Sequence, residues 1–380
     1  MAKKILIVVT KGEIGGAQVF VKNLATGLLK MGIDVTVALG LEHGSYLEPE
    51  LLKIGAKIHT FYNLSRSFSP LRNFFLILEA RKYFNNNRFD AIQLNSSNSI
   101  FIAAAAKISK FKPKIIFTHH GLSFIDPSAQ NLFKKFALKT VFVPLIRLVD
   151  INIFVSRRNF DEATHMKLVS KEKSVVIYNG IYPEFKTKSE SVKFLESALN
   201  TPLKGVKIIG SIGRLAHPKN FEFFINSAKL ITQKLIASDI NPVYIIIGNG
   251  PEKERYISII RKNGLYENFF ILSDINNASK YIKAFDLFVL TSIYEGLPLT
   301  AIEAISAGIP VLLSDIGGNP EIIGRDETQL FKLNNKIEFC EKAISIIKDR
   351  TLHSILSRRN KEGSNKFFGD LMVSQYFNLI

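Results

Sequence analysis

A chain of 380 residues exceeds what one hydrophobic core usually supports, so two domains of roughly 180 to 200 residues with a cleft between them are expected. Hydrophobic residues make up 47% and charged residues 22%, which excludes a disordered chain; the single cysteine, Cys340, excludes a disulfide framework or cysteine-based zinc site and fits a reducing cytoplasm. The net charge of +17 is concentrated in residues 1–183, with 25 Lys and Arg against 12 Asp and Glu, an excess that suits nucleic acid, anionic lipid or phosphorylated substrates alike.

The first apolar run, Ile5 to Val9, is too short for a signal-peptide core or a membrane span and reads as a buried strand. A glycine-bearing loop, Gly12 to Gly16, then a helical pattern through Val19, Leu24 and Leu28, lead past Gly32 into a second strand, Asp34 to Leu39, completing a βαβ unit. Strands are predicted again at Ala91 to Leu94, Lys114 to Thr118, Ile151 to Val155 and Ser174 to Tyr178, with helical patterns between, the alternation of a parallel sheet covered on both faces. Asn179 and Gly180 accept left-handed backbone angles and suit a hinge, so the domain junction is placed near 180 to 204. Alternation resumes with Lys207 to Ser211, Val243 to Gly248, Phe269 to Leu272, Leu287 to Thr291 and Val311 to Ser314. The expected fold is therefore α/β, two doubly wound parallel-sheet domains at 1–182 and 183–366. No membrane helix is expected, because the long apolar stretches are interrupted, as Val141 to Val155 is by Arg147 and Asp150.

Four places could carry chemistry. The loop holding Gly15 and Gly16 stands between a strand and a helix, where backbone amides can meet a phosphate; a tight turn would use the same glycines. Gly213-Arg214 through Lys219 sets two cations five residues apart after a buried strand, able to grip one diphosphate, or merely two surface charges. In Glu295-Gly296-Leu297-Pro298 through Glu303 two carboxylates flank a loop and a short helix, predicted at Pro298 to Ala307 with Gly308 as its stop. Glu303 must then be mostly buried and needs a partner: sugar hydroxyls, an ion pair or a helix cap. His119-His120-Gly121 closes a strand, where a histidine can contact substrate, shuttle a proton, hold a metal or simply pack. Asp-x-Asp and G-x-x-x-x-G-K-[ST] are both absent, which favours neutralising a diphosphate with protein cations, without a metal or other cofactor, and disfavours a P-loop enzyme.

In order and spacing, Gly15-Gly16, Thr118-x-His120-Gly121, Asn179-Gly180-Ile181, Gly213-Arg214 with Lys219-Asn220, Gly248-x-Gly250-Pro251, Glu295-Gly296-x-Pro298, Glu303 and Gly317-Gly318-x-Pro320-Glu321 resemble the retaining glycosyltransferases of family four over nearly the whole chain. The resemblance implies the GT-B architecture of two facing Rossmann-like domains and transfer from a nucleotide diphosphate sugar, with UDP- or GDP-sugar as donor. It implies that Arg214 and Lys219 hold the donor diphosphate, Glu303 the ribose hydroxyls and Glu295 the transferred sugar. Gly16, with Gly15, would meet phosphate from the opposite domain, His120 would stand beside sugar and acceptor, and Gly213, Gly248, Gly250, Gly296 and Leu297 would line the donor site. The final segment, 367–380, would pack back on the first domain.

Asn131 to Leu148 mixes Lys134, Lys135, Lys139 and Arg147 with Phe133, Phe136, Val141 and Phe142. Such segments lie on anionic bilayers, though an ordinary core helix with solvated lysines has the same composition. A peripheral cytoplasmic enzyme acting on a glycan or lipid-linked acceptor in surface polysaccharide or lipopolysaccharide synthesis is the expectation. The rivals are a sugar-nucleotide epimerase or hydrolase of the same fold and a noncatalytic basic protein; nucleic acid is not an expected partner, since no RNA motif is present.

Overall fold

The computed structural model describes the backbone of residues 2–41, 46–121 and 132–380 and the side chains of all these except 132–139. Two parallel sheets are present, one in each of two compact units: Met1–Ile181 with Phe367–Ile380, and Tyr182–Lys366. Among the described residues no helix is long and apolar enough to cross a membrane.

In the first unit β1 (Lys4–Val8), β2 (Asp34–Leu39), β3 (Lys57–Thr60), β4 (Ala91–Leu94), β5 (Lys114–His119), β6 (Ile151–Phe154) and β7 (Ser174–Val176) lie in the order β3-β2-β1-β4-β5-β6-β7. Successive side chains of a strand point to opposite faces, so β1 feeds two cores. Ile5 and Ile7 share one with Val21, Leu24 and Leu28 of the helix Gly16–Lys30; Leu6 and Val8 share the other with Leu76, Ala80 and Phe84 of the helix Pro70–Asn86. A strand covered on both faces has no polar side, hence the unbroken apolar run. β3 has no counterpart in the sequence pattern: Lys57-Ile58-His59-Thr60 sits at the sheet edge and none of its side chains is fully buried.

The helix Gly369–Phe377 belongs to this first core, where Met372, Val373 and Tyr376 are buried near the helix Gly16–Lys30. Phe367 is buried too, whereas Phe368 and Leu371 of the same segment are each 48% exposed. Asn179 and Gly180 are not a left-handed hinge, since neither has positive φ. Gly180 is glycine for contact: a Cβ there would stand 2.8 Å from the Cα of Gly369, 2.8 Å from the Cβ of Met372 and 2.9 Å from the carbonyl oxygen of Phe368. The segment expected to meet a bilayer is only partly visible. Its positions Asn131, Phe133, Lys134, Lys135, Phe136 and Lys139 lie outside the described residues or side chains; within the helix Leu132–Arg147, Phe142 is buried against Phe117, as a core helix requires.

In the second unit β8 (Lys207–Ile212), β9 (Pro242–Ile247), β10 (Phe269–Leu272), β11 (Leu287–Leu290), β12 (Val311–Ser314) and β13 (Leu330–Phe331) follow the order β10-β9-β8-β11-β12-β13. β13, two residues long at the edge, also escaped the sequence pattern. The strand order reverses between β1 and β4 in one sheet and between β8 and β11 in the other. Loops leaving the carboxyl ends of such strands diverge to opposite faces and leave room for a ligand.

Gly180→Ala puts a methyl group against the Phe368–Gly369 backbone and the Met372 side chain and is expected to lower stability by about 2–3 kcal/mol in chemical denaturation. Gly16→Ala, whose Cβ would meet no atom within 4 Å, is the control and should change stability by less than about 0.5 kcal/mol.

Candidate active site

In the second unit the loop after β8 runs Gly213-Arg214-Leu215-Ala216 into a short turn, His217–Lys219, and Asn220 in left-handed conformation opens the helix Phe221–Ile236. Pro218 lies within that turn and not at the start of the long helix. The loop after β11 is fastened to it. Thr291 Oγ1 donates to the carbonyls of Lys219 (3.2 Å) and Asn220 (3.1 Å), and the Ile293 amide donates to the Pro218 carbonyl (2.9 Å).

Across this seam Lys219 Nζ and Glu295 Oε1 form a 2.6 Å ion pair, with both side chains largely buried. Ser292 Oγ also donates to Glu295 Oε1, at 2.7 Å. Oε2 accepts no hydrogen bond from the described residues and keeps its lone pairs. Arg214, five residues before Lys219, is exposed and makes no ion pair or side-chain hydrogen bond among the described residues. The seam therefore carries two cations against one carboxylate, a net positive charge at the carboxyl ends of β8 and β11.

The glycines around it have distinct tasks. A Cβ on Gly248 would fall 1.9 Å from the Gly213 carbonyl oxygen, and one on Gly250 would fall 2.3 Å from that of Leu215. Both let the loop after β9 lie on the loop after β8, where Gly213 donates to Ile247 and Leu215 to Asn249 through backbone amides. Gly213 itself meets nothing closer than 3.5 Å. Gly317, at φ 47°, passes close under the Glu295 carbonyl, and Gly318 donates to the Gly296 carbonyl at 2.8 Å, fixing the loop that presents Glu295; Leu297 is buried below it.

Glu303 lies on the helix Leu299–Ser306, which Pro298 caps from outside and Gly308, at φ 75°, follows. It is half-buried between Ile302 and Ala304. Among the described residues it makes no ion pair, and its mid-helix position excludes a cap; Ser279 is its hydrogen-bond partner. Burial pushes its carboxyl up to about 7, and the Ser279 bond acts in the opposite direction.

In the first unit Gly15 caps the helix Gly16–Lys30 without a side-chain cap bond; a Cβ there would stand 2.8 Å from Gln18 Oε1, whereas no protein atom lies near where a Cβ of Gly16 would be, so the backbone at Gly16 stays approachable. Lys11 and Glu13, in the same loop, face each other at 4.0 Å. The two histidines after β5 separate clearly. His119 is buried, stacked on Phe154 at 4.4 Å, and its Nε2 meets Asn152 Oδ1 at 3.0 Å; it packs the sheet. His120 is half-buried, edge-on to Phe20 at 4.6 Å, with Nε2 at 3.0 Å from Asn95 Oδ1. Burial disfavours both imidazolium forms and pulls their pKa well below the ordinary range, to about 4 for His119 and about 3 for His120, so both rings are neutral near pH 7.

Behind His120 runs a buried polar chain. Gln93 Nε2 donates to Asn95 Oδ1 (2.8 Å) and to Thr118 Oγ1 (2.7 Å), Asn95 Nδ2 donates to the Val8 carbonyl (3.2 Å), and Thr118 Oγ1 meets the Tyr376 hydroxyl at 2.9 Å. An amide oxygen only accepts, so neutral His120 carries its hydrogen on Nε2 and presents a lone pair on Nδ1. Gln93, Asn95, Ser279, Ser292 and Tyr376 were missed in the sequence. Only Asn95 offered a signal there, a polar residue just past the carboxyl end of a predicted strand.

Residues 14–185 match the family described as Glycosyltransferase Family 4, and residues 196–363 match Glycosyl transferases group 1. The O-antigen biosynthesis glycosyltransferase WbnH of Escherichia coli is 29% identical, over 84% of each chain. A UDP-Gal:alpha-D-GlcNAc-diphosphoundecaprenol alpha-1,3-galactosyltransferase of the same organism is 24% identical, over 78% of this chain and 77% of its own. Anabaena HepE, solved in complex with UDP and glucose, superposes with a TM-score of 0.82 over 99% of both chains at 18% identity, which shows a shared fold.

A carboxyl whose acidity weakens on folding contributes stability that is full below its ordinary range and fades as pH rises through about 7. Glu303→Gln removes that dependence. Urea unfolding near pH 5 and near pH 8 should show the substituted protein gaining on the parent by up to about 3 kcal/mol at the higher pH; parallel pH profiles would mean the carboxylate is ionised throughout.

Proposed function

Because the chain belongs to the retaining glycosyltransferases of family four, we propose that it moves a hexosyl group from a UDP- or GDP-sugar to a lipid-linked or oligosaccharide acceptor in surface polysaccharide synthesis, at the cytoplasmic face of a membrane. The observation that carries the donor half of this reading is the unpaired, exposed Arg214 beside the Lys219–Glu295 pair at the reversal point of the second sheet. The acceptor half is supported by the relatives, one of which acts in O-antigen biosynthesis and another on a diphosphoundecaprenol-linked sugar.

Arg214 and Lys219 receive the donor diphosphate and stabilise the charge it gains as the bond to the sugar breaks. Glu295 holds Lys219 through Oε1 and offers Oε2 to a hydroxyl of the transferred sugar. Glu303, poorly solvated in the empty protein, accepts hydrogen bonds from the ribose hydroxyls, which replace the water it lacks and draw its acidity back toward the ordinary range. Gly213 and Gly296, with no side chain between loop backbone and ligand, let the donor approach; Gly248, Gly250 and Leu297 shape that loop from behind. In the first unit the amides at Gly15 and Gly16 suit phosphate, and His120 Nδ1 accepts from a sugar or acceptor hydroxyl.

Thermal unfolding with UDP, GDP, ADP and CMP tests the donor site directly. One nucleoside diphosphate at 100 times its dissociation constant should add about 2.7 kcal/mol of stability, and Arg214→Ala should lose most of that response. In a transfer assay with a lipid-linked acceptor, product analysis separates transfer from hydrolysis or epimerisation, and Arg214→Ala should lower kcat/KM about 100-fold. Full turnover in Arg214→Ala, or equal stabilisation with and without the guanidinium, would overturn the assignment.

A further inference from the structure

The helix Pro70–Asn86 hides one side in the first core, through Asn73, Leu76, Ala80 and Phe84. Its opposite side is not polar. Leu71, Phe74, Phe75 and Leu78, spaced at i, i+3, i+4 and i+7, are between 44% and 67% exposed and form an apolar stripe. Continuing by three and four residues, the same face carries exposed Arg81 and Lys82. At the end of the helix Asn85 Oδ1 accepts from the Lys110 amide at 2.8 Å, which joins to it a turn holding Ile108, 54% exposed, and Phe111, 38% exposed, among Lys110 and Lys112. The only acid on the helix, Glu79, is turned away, accepting from the amides of Tyr62 and Asn63 and from Asn63 Nδ2.

We propose that this surface, the outer face of the helix Pro70–Asn86 with the turn at 108–112, docks the enzyme on an anionic lipid bilayer. Exposed apolar area alone would suit several occupants. The charge selects among them: a second copy would set Arg81, Lys82, Lys110 and Lys112 against their own counterparts, whereas acidic headgroups complement them while the phenylalanines and leucines enter the interfacial layer. The proposal deepens the lipid-linked reading above by naming the surface that brings the protein to its acceptor. It requires neither donor nor acceptor to be bound, so its failure is separable from a failure of sugar transfer.

Co-sedimentation with vesicles of phosphatidylglycerol and phosphatidylcholine, against phosphatidylcholine alone, tests it. The parent protein should bind the anionic vesicles and release them at high salt. Arg81→Gln with Lys82→Gln should weaken partitioning by about 25-fold, at roughly fivefold per charge, and Phe74→Ser with Phe75→Ser should weaken it by about tenfold or more. Ile337→Ser, equally exposed but in the second unit, should leave binding intact. All these side chains are exposed, and unchanged thermal midpoints confirm folding. Absence of binding by the parent, undiminished binding by both double variants, or concentration-dependent self-association abolished by Phe74→Ser with Phe75→Ser would overturn the proposal.

Discussion

The ion pair between Lys219 and Glu295 ties together two loops that leave a parallel sheet on either side of its reversal point. Without it the carboxylate would be buried beside Ser292 alone, and the ammonium would be free to swing on its four-carbon stem. The backbone prepares the contact: Thr291 and Ile293 hold the β11 loop to the turn that carries Lys219, Gly317 passes under the Glu295 carbonyl, and Gly248 and Gly250 press the β9 loop on the β8 loop. A cation fixed in this way presents its charge with little reorganisation, which is what a leaving group that gains negative charge requires. Arg214 remains unengaged beside it, and the local balance stays positive.

The first unit solves a different problem, keeping a neutral imidazole in one orientation. Burial depresses the basicity of His120, and the chain from Tyr376 through Thr118, Gln93 and Asn95 leaves Nε2 one acceptor to satisfy. The Asn95 amide oxygen that faces Nε2 can only accept, so the tautomer follows from hydrogen-bond supply. Thr118, two residues before His120 in a buried strand, links the ring's environment to a helix far away in sequence.

Most of the architecture could be read from the chain because doubly covered parallel strands are apolar throughout and glycine-bearing loops punctuate them. Eleven of the thirteen strands among the described residues were visible as such runs; of the edge strands, β3 is poorly covered and β13 only two residues long, and neither left a pattern. The charged members of the candidate site were legible from spacing and resemblance, yet the partnership of Lys219 with Glu295 was not, because the two are separated by 76 positions and meet only when β8 and β11 become neighbours. The need for Gly180 was misread as backbone freedom when its cause is a helix packed against it from the far end of the chain. Tyr376 and Gln93 were invisible for the same reason: a hydrogen-bond chain through four elements has no linear signature.

That distant helix also bears on how the protein is made. Met372, Val373 and Tyr376 complete a core whose other members, from Ile5 to Ile177, leave the ribosome before any of the second unit does. Between them lie the 185 residues of Tyr182–Lys366, roughly 10–40 s of translation at about 5–20 residues per second. Throughout that interval the nascent first unit has an uncovered apolar face and an unterminated polar chain at Thr118, whereas by its end the second unit holds every strand of its own sheet. The order of synthesis and the order of completion are therefore reversed: the half that emerges first is the half that finishes last.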